Sequence, residues 1–391
     1  MRNNSATAAQ ANILIIDDNP ANLRLLSQML TKHGYAVRPV TDCQLALGAA
    51  FAEPPDLILL DIRMPGMDGY EVCRRLKANA QTRDIPIIFI SALDAIQDKV
   101  RAFAVGGVDY VTKPFQVEEV LARVETHLAL RRLQKQLLDA NEKMVRELAL
   151  AGEVQASFLP HPLPEIPGWR IAATLKPARE TSGDFYDLIP LPNGRLGLVV
   201  ADVSDKGVGA ALYMALSSTV IRIYAADYYS EPEIALRAAN IHILKDTENN
   251  QFVTVFFGVL DPITGALTYA NAGHPPPYLI QAHRGPNVQK LPRTGMPLGI
   301  SKEELWQRGV VQLAPGDVLV LYTDGITEAA DNQTAFWGES RLVESMRANA
   351  GRAAPGVLEA ILANVRAFVG DAPQSDDIAL VVLTRDAMGR T

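Results

Sequence analysis

Between Val117 and Ala151 the chain contains neither glycine nor proline, and Leu130, Leu133, Leu137, Ala140 and Met144 recur at steps of three and four. That spacing predicts a long amphipathic helix with a heptad-like seam. Leu148, Ala151, Val154 and Phe158 extend the seam after a shift of register at Glu147. Arg131, Arg132, Lys135, Asp139, Glu142, Lys143 and Arg146 fill the other faces. Such a helix either pairs with a second copy as a coiled coil or packs on its own domain; the seam favours a homodimer. It also divides the chain. Residues 1–11 are polar and expected to be disordered, 12–125 form one domain, 126–158 a helical linker and 159–391 a second domain.

Composition narrows the class. Of the 391 residues, 48% are hydrophobic and 21% charged, which suits buried globular cores. Lys and Arg number 37 against 44 Asp and Glu, a formal charge of −7, and no basic recognition helix is visible, so a nucleic-acid partner is not expected. Two cysteines, Cys43 and Cys73, cannot form a disulfide framework, which points to a reducing compartment. The start of the chain lacks an apolar leader pattern, and the uncharged helical run Gly207 to Ile221 is short of the roughly 18–20 residues of a bilayer span. A cytoplasmic protein without a membrane segment is expected.

The two domains differ in texture. From 12 to 116, the apolar runs NILII, YAVRPV, LILL, PIIFI and DYVT alternate with helical patterns such as Ala21–Lys32 and Asp94–Val105. This predicts an α/β fold, a doubly wound parallel sheet with helices on both faces. From Pro160 onward, longer apolar runs (RIAATLKP, FYDLIPL, RLGLVVAD, FVTVFFGVLD, ALTYANAG, DVLVLYTDG, DIALVVLT) are joined in places by turns such as PNG and DPITG. With helical patterns at 209–226, 232–246 and 355–369, they predict an α/β sandwich of largely antiparallel sheets.

In the first domain, polar residues stand at the ends of the predicted strands: Asp17 and Asp18, Asp61, Ser91, and Lys113 before Pro114. In a parallel sheet these ends converge on one crevice. Three neighbouring carboxylates repel unless a cation joins them, and oxygen-only ligands beside a phosphoryl group suit Mg²⁺. Asp61 is then a nucleophile toward phosphorus, with Lys113 and Ser91 holding phosphoryl oxygens. In sum, residues 12–125 resemble a response-regulator receiver domain. The resemblance implies that Asp61 is the phosphoacceptor, that Asp17, Asp18 and Asp61 hold Mg²⁺, and that Tyr110 is the aromatic switch residue. The phosphodonor would be a sensor histidine kinase or a phosphotransfer protein.

The second domain repeats the logic. Asp184 lies in SGDFYD, Asp202 in VADVSDKG, Asp324 in YTDGITEA, and Asp376 with Asp377 in SDDIALV. Carboxylates beside such apolar strands are costly without a partner. With no His/Cys cluster, hard Mg²⁺ or Mn²⁺ is favoured over zinc, and two such ions suit in-line hydrolysis at phosphorus without a protein nucleophile. The region resembles metal-dependent serine/threonine phosphatases of type 2C, in the SpoIIE/RsbU-like branch, through VQASFLP, SGDFYD, VADVSDKGVGAALYMA, NAGHPPP, GMPLGI, LYTDGITEA and SDDIALVVL. The resemblance implies metal ligation by Asp184, Asp202, Asp324, Asp376 and the backbone carbonyl of Val203. Asp205 stands where many members have Gly, and Ala379 where Thr or Ser often follows the acidic pair.

Three further candidates remain open at this level. Asp377 is either a ligand or a support to one, His274 either orients substrate or is a satisfied loop histidine, and Arg179 either grips phosphate or forms a structural ion pair. Asp187 and Asp205 read as solvated loop acids. The order of parts implies that phosphorylation of Asp61 controls the phosphatase through the linker helix. The branch implies a phosphorylated anti-sigma-factor antagonist as substrate. The competing reading is an RssB-type adaptor, whose phosphatase-like domain delivers a sigma factor for proteolysis.

Overall fold

In the computed structural model, residues 11–92, 96–246, 251–282 and 287–386 are described. The expected disordered N-terminus therefore lies, except for Ala11, outside them, as does the first part of the helical pattern at Asp94–Val105. The chain forms two compact units, Met1–Lys143 and Met144–Thr391.

The first unit runs β1 (Asn12–Ile16), α1 (Pro20–Lys32), β2 (Ala36–Val40), α2 (Cys43–Ala52), β3 (Leu57–Asp61), α3 (Gly69–Ala78), β4 (Ile87–Ser91), α4 (Ile96–Ala104) and β5 (Asp109–Thr112), followed by α5 (Val117–Ala156). The sheet order is β2-β1-β3-β4-β5, parallel throughout. Strands β3 and β4 are buried along their whole length, because helices cover both faces. Two cores follow. One holds Leu14, Ile58, Phe89 and Tyr110 with α2 and α3, the other Ile13, Leu59 and Ile88 with α1 and Val120, Val124 and Leu128 of α5. Local chemistry sets the helix starts. Asn19 and Asp42 cap α1 and α2 through their side-chain oxygens, and Pro20 occupies the first turn of α1.

The second unit runs β6 (Trp169–Lys176), β7 (Phe185–Pro190), β8 (Leu196–Val203), α6 (Val208–Asp227), α7 (Pro232–Asp246), β9 (Val253–Leu260), β10 (Ala266–Ala272), β11 (Tyr278–Gln281), β12 (Asn287–Lys290), β13 (Gly309–Gln312) and β14 (Val318–Tyr322). It ends with α8 (Asp324–Thr327), α9 (Gly338–Ala348), α10 (Ala354–Val369) and β15 (Ile378–Arg385). Two antiparallel five-stranded sheets result, β13-β10-β9-β8-β7 and β12-β11-β14-β15-β6. They meet over a core that takes Leu198, Val200 and Phe256 from one sheet and Leu319, Leu321 and Val381 from the other. Helices α6 and α7 cover the outer face of the first sheet, and α9 and α10 that of the second. Among the described residues, α6 is the one helix long and apolar enough to cross a membrane. Here it is a core helix, with Ala210, Tyr213, Met214, Val220 and Ile221 buried against the sheet.

Two hairpin turns anticipated from sequence are present. Asn193 takes a positive φ of 61° between β7 and β8, and Asp261 accepts the amides of Ile263 and Thr264 between β9 and β10.

Candidate functional site

In the first unit the parallel register brings the expected groups together. Asp17 follows β1, while Asp61 and Ser91 end β3 and β4. Carboxylate oxygens of Asp17, Asp18 and Asp61 all lie within 4.8 Å of one another, Asp17 and Asp61 buried and Asp18 exposed. Lys113 Nζ donates to Asp17 Oδ2 and Asp61 Oδ2, 2.8 Å each. The Ile62 amide donates to Asp61 Oδ1 at 2.8 Å, and the Asn22 side chain steadies Asp17. Burial pushes the Asp61 carboxyl above its ordinary pKa, and Lys113 offsets only part of that. Burial works in the opposite sense on Lys113, yet its two carboxylates hold that ammonium above its usual range. Lys113 thus bonds two of the three acids, and one positive charge against three carboxylates leaves a deficit that fits a hard divalent ion. Ser91 is buried, its carbonyl accepting the Lys113 amide at 2.8 Å. Tyr110 is 6% exposed on β5 and faces inward, with Lys99 Nζ 5.6 Å from its ring centre.

In the second unit the site forms where both sheets end on the same side. Antiparallel pairing of Phe185 with Ala201 sets Asp184, just before β7, opposite Asp202 near the end of β8. Pairing of Tyr322 with Leu380 brings Asp324, which opens α8, to the same sheet end as Asp376, two residues before β15. The acids feel one another. Burial and the Asp202 charge raise Asp184 well above the carboxylate range. Burial, Asp324 and Asp376 push Asp202 up to about 7. Burial, Glu328 and Asp376 raise Asp324. One oxygen of Asp184, Oδ2, is buried with no hydrogen-bond partner. Mutual repulsion and an orphaned buried carboxylate oxygen are what a set of oxygen ligands shows without its cations. Among the described residues only the Asp17–Asp18–Asp61 trio brings three ligand atoms within 4.8 Å. The acids of the second set do not meet that spacing.

The surrounding groups clarify the open candidates. Asp377 accepts the Ala178 amide at 2.7 Å and the Gly183 amide at 2.8 Å, so it anchors the 177–183 loop that leads into Asp184. Gly325 must lack a side chain, because a Cβ there would sit 1.9 Å from the Asp377 carbonyl oxygen. His274 is fully buried, one ring nitrogen 2.8 Å from the Thr254 hydroxyl and the other 3.1 Å from the Tyr322 carbonyl. Burial drives its pKa down to about 3, so it is neutral and fixes the strand end before Asp324. Arg179 is exposed on the 177–184 loop. The Val203 carbonyl oxygen faces Gly183, 3.1 Å from where a Cβ on that glycine would sit. Asp205 adopts a positive φ of 76°, in the left-handed region that glycine enters more readily. Asp187 is not a solvated loop acid: it is buried in β7, paired with Arg222 of α6 at 2.6 Å.

Two residues escaped the sequence reading. Lys206 Nζ lies 3.0 Å from Asp376 Oδ1, the one cation that reaches this acid set among the described residues. Gln155, near the end of α5, donates to the Ser182 carbonyl at 2.5 Å and accepts the Ser182 amide at 2.9 Å, two residues before Asp184. Its place within VQASFLP was the available signal; an amide on a helix carries no other.

Comparison with known proteins agrees with both halves. A model of the response regulator receiver domain matches residues 13–125, and one of Stage II sporulation protein E (SpoIIE) matches 192–386. Asp184 precedes the second match, so its assignment rests on geometry. Protein IcfG of Synechocystis sp. is 32% identical over 266 residues, 61% of this chain and 42% of that protein. Protein PilH of Pseudomonas aeruginosa is 39% identical over 119 residues, 30% of this chain and 98% of PilH. The chain spans less than half the length of the first curated relatives it matches. Among solved structures, the SiaA-PP2C domain of Pseudomonas aeruginosa superposes with a TM-score of 0.56 at 23% identity, covering 63% of this chain and 99% of that one, a likeness of fold. The chain thus has a receiver domain of the response-regulator family, joined to a PP2C-fold domain that matches the SpoIIE model.

Proposed function

We propose that this chain is a two-component response regulator in which phosphorylation of Asp61 controls a metal-dependent phosphoserine/phosphothreonine phosphatase. The carrying observation is the convergence of Asp184, Asp202, Asp324 and Asp376, mutually repelling and with an orphaned buried oxygen, at one end of a PP2C-fold sandwich. Asp17, Asp18 and Asp61 would hold Mg²⁺, and the four acids with the Val203 carbonyl would hold two Mn²⁺ or Mg²⁺. Bound there, such ions neutralise the carboxylates and polarise water and phosphate for in-line hydrolysis. The chain's own groups do the rest. Asp377 and Gln155 hold the Asp184 loop in place, Lys206 screens Asp376, and Arg179 is free to reach a substrate phosphate. On the receiver, the Asp61 carboxylate accepts a phosphoryl group from a histidine kinase or phosphotransfer protein, with Lys113 neutralising the transferred charge.

The reading places the protein in the cytoplasm, with a phosphorylated anti-sigma-factor antagonist or similar phosphoprotein as substrate, and pairs two copies through α5. The adaptor alternative gains no support from the site, since a binding platform has no need of four acids kept beside apolar strands. Mn²⁺-dependent hydrolysis of p-nitrophenyl phosphate and of a phosphoserine protein is the test. Asp202→Asn should lose more than about 100-fold, because even supports of metal ligands cost 10–100-fold. A wild type without metal-dependent activity sinks the enzyme; equal rates with and without an acyl-phosphate mimic sink the coupling.

A further inference from the structure

Beside Asp376 lies a cavity of about 200 Å³ that neither metal set uses. Its apolar lining includes Ala329, Leu362, Val365 and Ile378, and its basic members are Lys176, at the end of β6, and Arg366 of α10. Asp376 and Gly325, the neighbour of Asp324, form the wall shared with the acid set. That wall is fixed in advance, since the Gln374 side chain donates to the carbonyls of Lys176 and Asp376 at 2.8 and 2.7 Å.

The two cations are the informative feature. Burial, and then the Arg366 charge, hold the Lys176 ammonium below its ordinary pKa, so the pair feel each other as like charges. Among the described residues neither has an acidic partner; the adjacent Asp376 is engaged by Lys206 instead. In a chain with seven more acids than bases, two unpaired neighbouring cations at the edge of an apolar cavity complement an anion carried on an apolar segment. The phosphate under hydrolysis is not that anion, because it belongs among the carboxylates and their ions on the other side of Asp376.

We propose that this cavity is a substrate subsite that takes an acidic side chain and an adjoining apolar side chain of the phosphoprotein, next to the phosphorylated residue. This rests on the phosphatase reading. The carboxylate meets Lys176 and Arg366 while the apolar group covers Val365 and Ala329, so the site selects substrates by the sequence flanking the phosphoserine.

The test uses the full chain with Mn²⁺ and phosphoserine peptides of one length, flanked on either side by Glu-Leu, Lys-Leu or Gly-Gly. The wild type should favour Glu-Leu over Lys-Leu in kcat/KM by about tenfold. Lys176→Glu with Arg366→Glu should invert that ratio, Lys176→Gln with Arg366→Gln should abolish it, and Arg366→Lys should retain it. Each ratio is taken within one variant, so a general loss of activity does not mimic the effect. No preference in the wild type overturns the subsite, as does a preference that the charge swap leaves intact. If the wild type fails to hydrolyse p-nitrophenyl phosphate, it is the phosphatase reading that fails. The subsite is then read by fluorescence anisotropy with unphosphorylated Glu-Leu and Lys-Leu peptides, equal affinity overturning it.

Discussion

Asp187 shows how a single residue's chemistry follows from the layer it is sealed in. Strand β7 is covered on both faces, so all of Phe185–Ile189 is buried, and Asp187 points toward α6 rather than toward water. Burial raises its pKa to about 6 against the opposing pull of Arg222, and its Oδ2 has no partner. The folded chain therefore holds a proton between roughly pH 4 and 6 that the unfolded chain has already released, so stability falls as pH rises through that window. That rise corresponds to on the order of 3 kcal/mol. In Asp187→Asn that contribution to the pH slope disappears, and the thermal midpoint in saturating Mn²⁺ should change less between pH 4.5 and 7.5 than in the wild type. Parallel slopes would mean that Arg222 keeps Asp187 ionised throughout. The sequence misplaced this acid because an Asp in FYDLIPL does not reveal which faces of the strand are covered. Asp61, Asp202 and Asp324 were legible for the converse reason: each stands at the end of an apolar run, where a carboxylate needs a purpose.

At the level of elements, long strands announced themselves and short ones did not. The eight-residue strands β8, β9 and β15 carry enough apolar side chains to fix their identity. β11, β12 and β13, four residues each, offer at most two alternations, and β12 and β13 lie at sheet edges where exposure dilutes the pattern. The long helix α5 was legible almost to its bounds, but its contacts were not. A Cβ on Gly152 would lie 2.2 Å from the Glu180 carbonyl oxygen, so the helix passes directly against the loop that Gln155 then clasps at Ser182. Gln155→Ala leaves a buried amide and a buried carbonyl unpaired, at about 1–3 kcal/mol each. The Asp184 loop loosens as a result. The expected outcome is a roughly tenfold or greater loss of Mn²⁺-dependent kcat/KM together with a higher Mn²⁺ requirement, read by metal titration. A fall in thermal midpoint without any change in Mn²⁺ dependence would reduce Gln155 to a packing residue.

For the molecule as a whole, the outstanding question is how a carboxylate phosphorylated in one unit can alter four carboxylates in another. Leu130, Leu133, Leu137 and Met144 of α5 are 50%, 63%, 72% and 61% exposed, a run of apolar side chains over about 21 Å of helix. Sustained coiled coils need about 3–4 heptads, and this run supplies about two, so pairing of two copies should be weak and concentration-dependent. Weakness is what a switch requires. Phosphorylation can shift an association only by its differential affinity for the two states, and a tight dimer would leave nothing to shift. By reciprocity, if an acyl-phosphate mimic tightens the dimer by some factor, dimerisation must tighten binding of the mimic by the same factor. Half-saturation by the mimic should therefore fall as protein concentration rises through the dimer Kd, measured in parallel by sedimentation velocity. Leu133→Glu with Leu137→Glu places like charges on both seams, which should give a monomer whose half-saturation no longer depends on concentration and whose phosphatase rate no longer responds to the mimic. A wild type that stays monomeric with the mimic bound, yet still responds in activity, would place the coupling within a single chain.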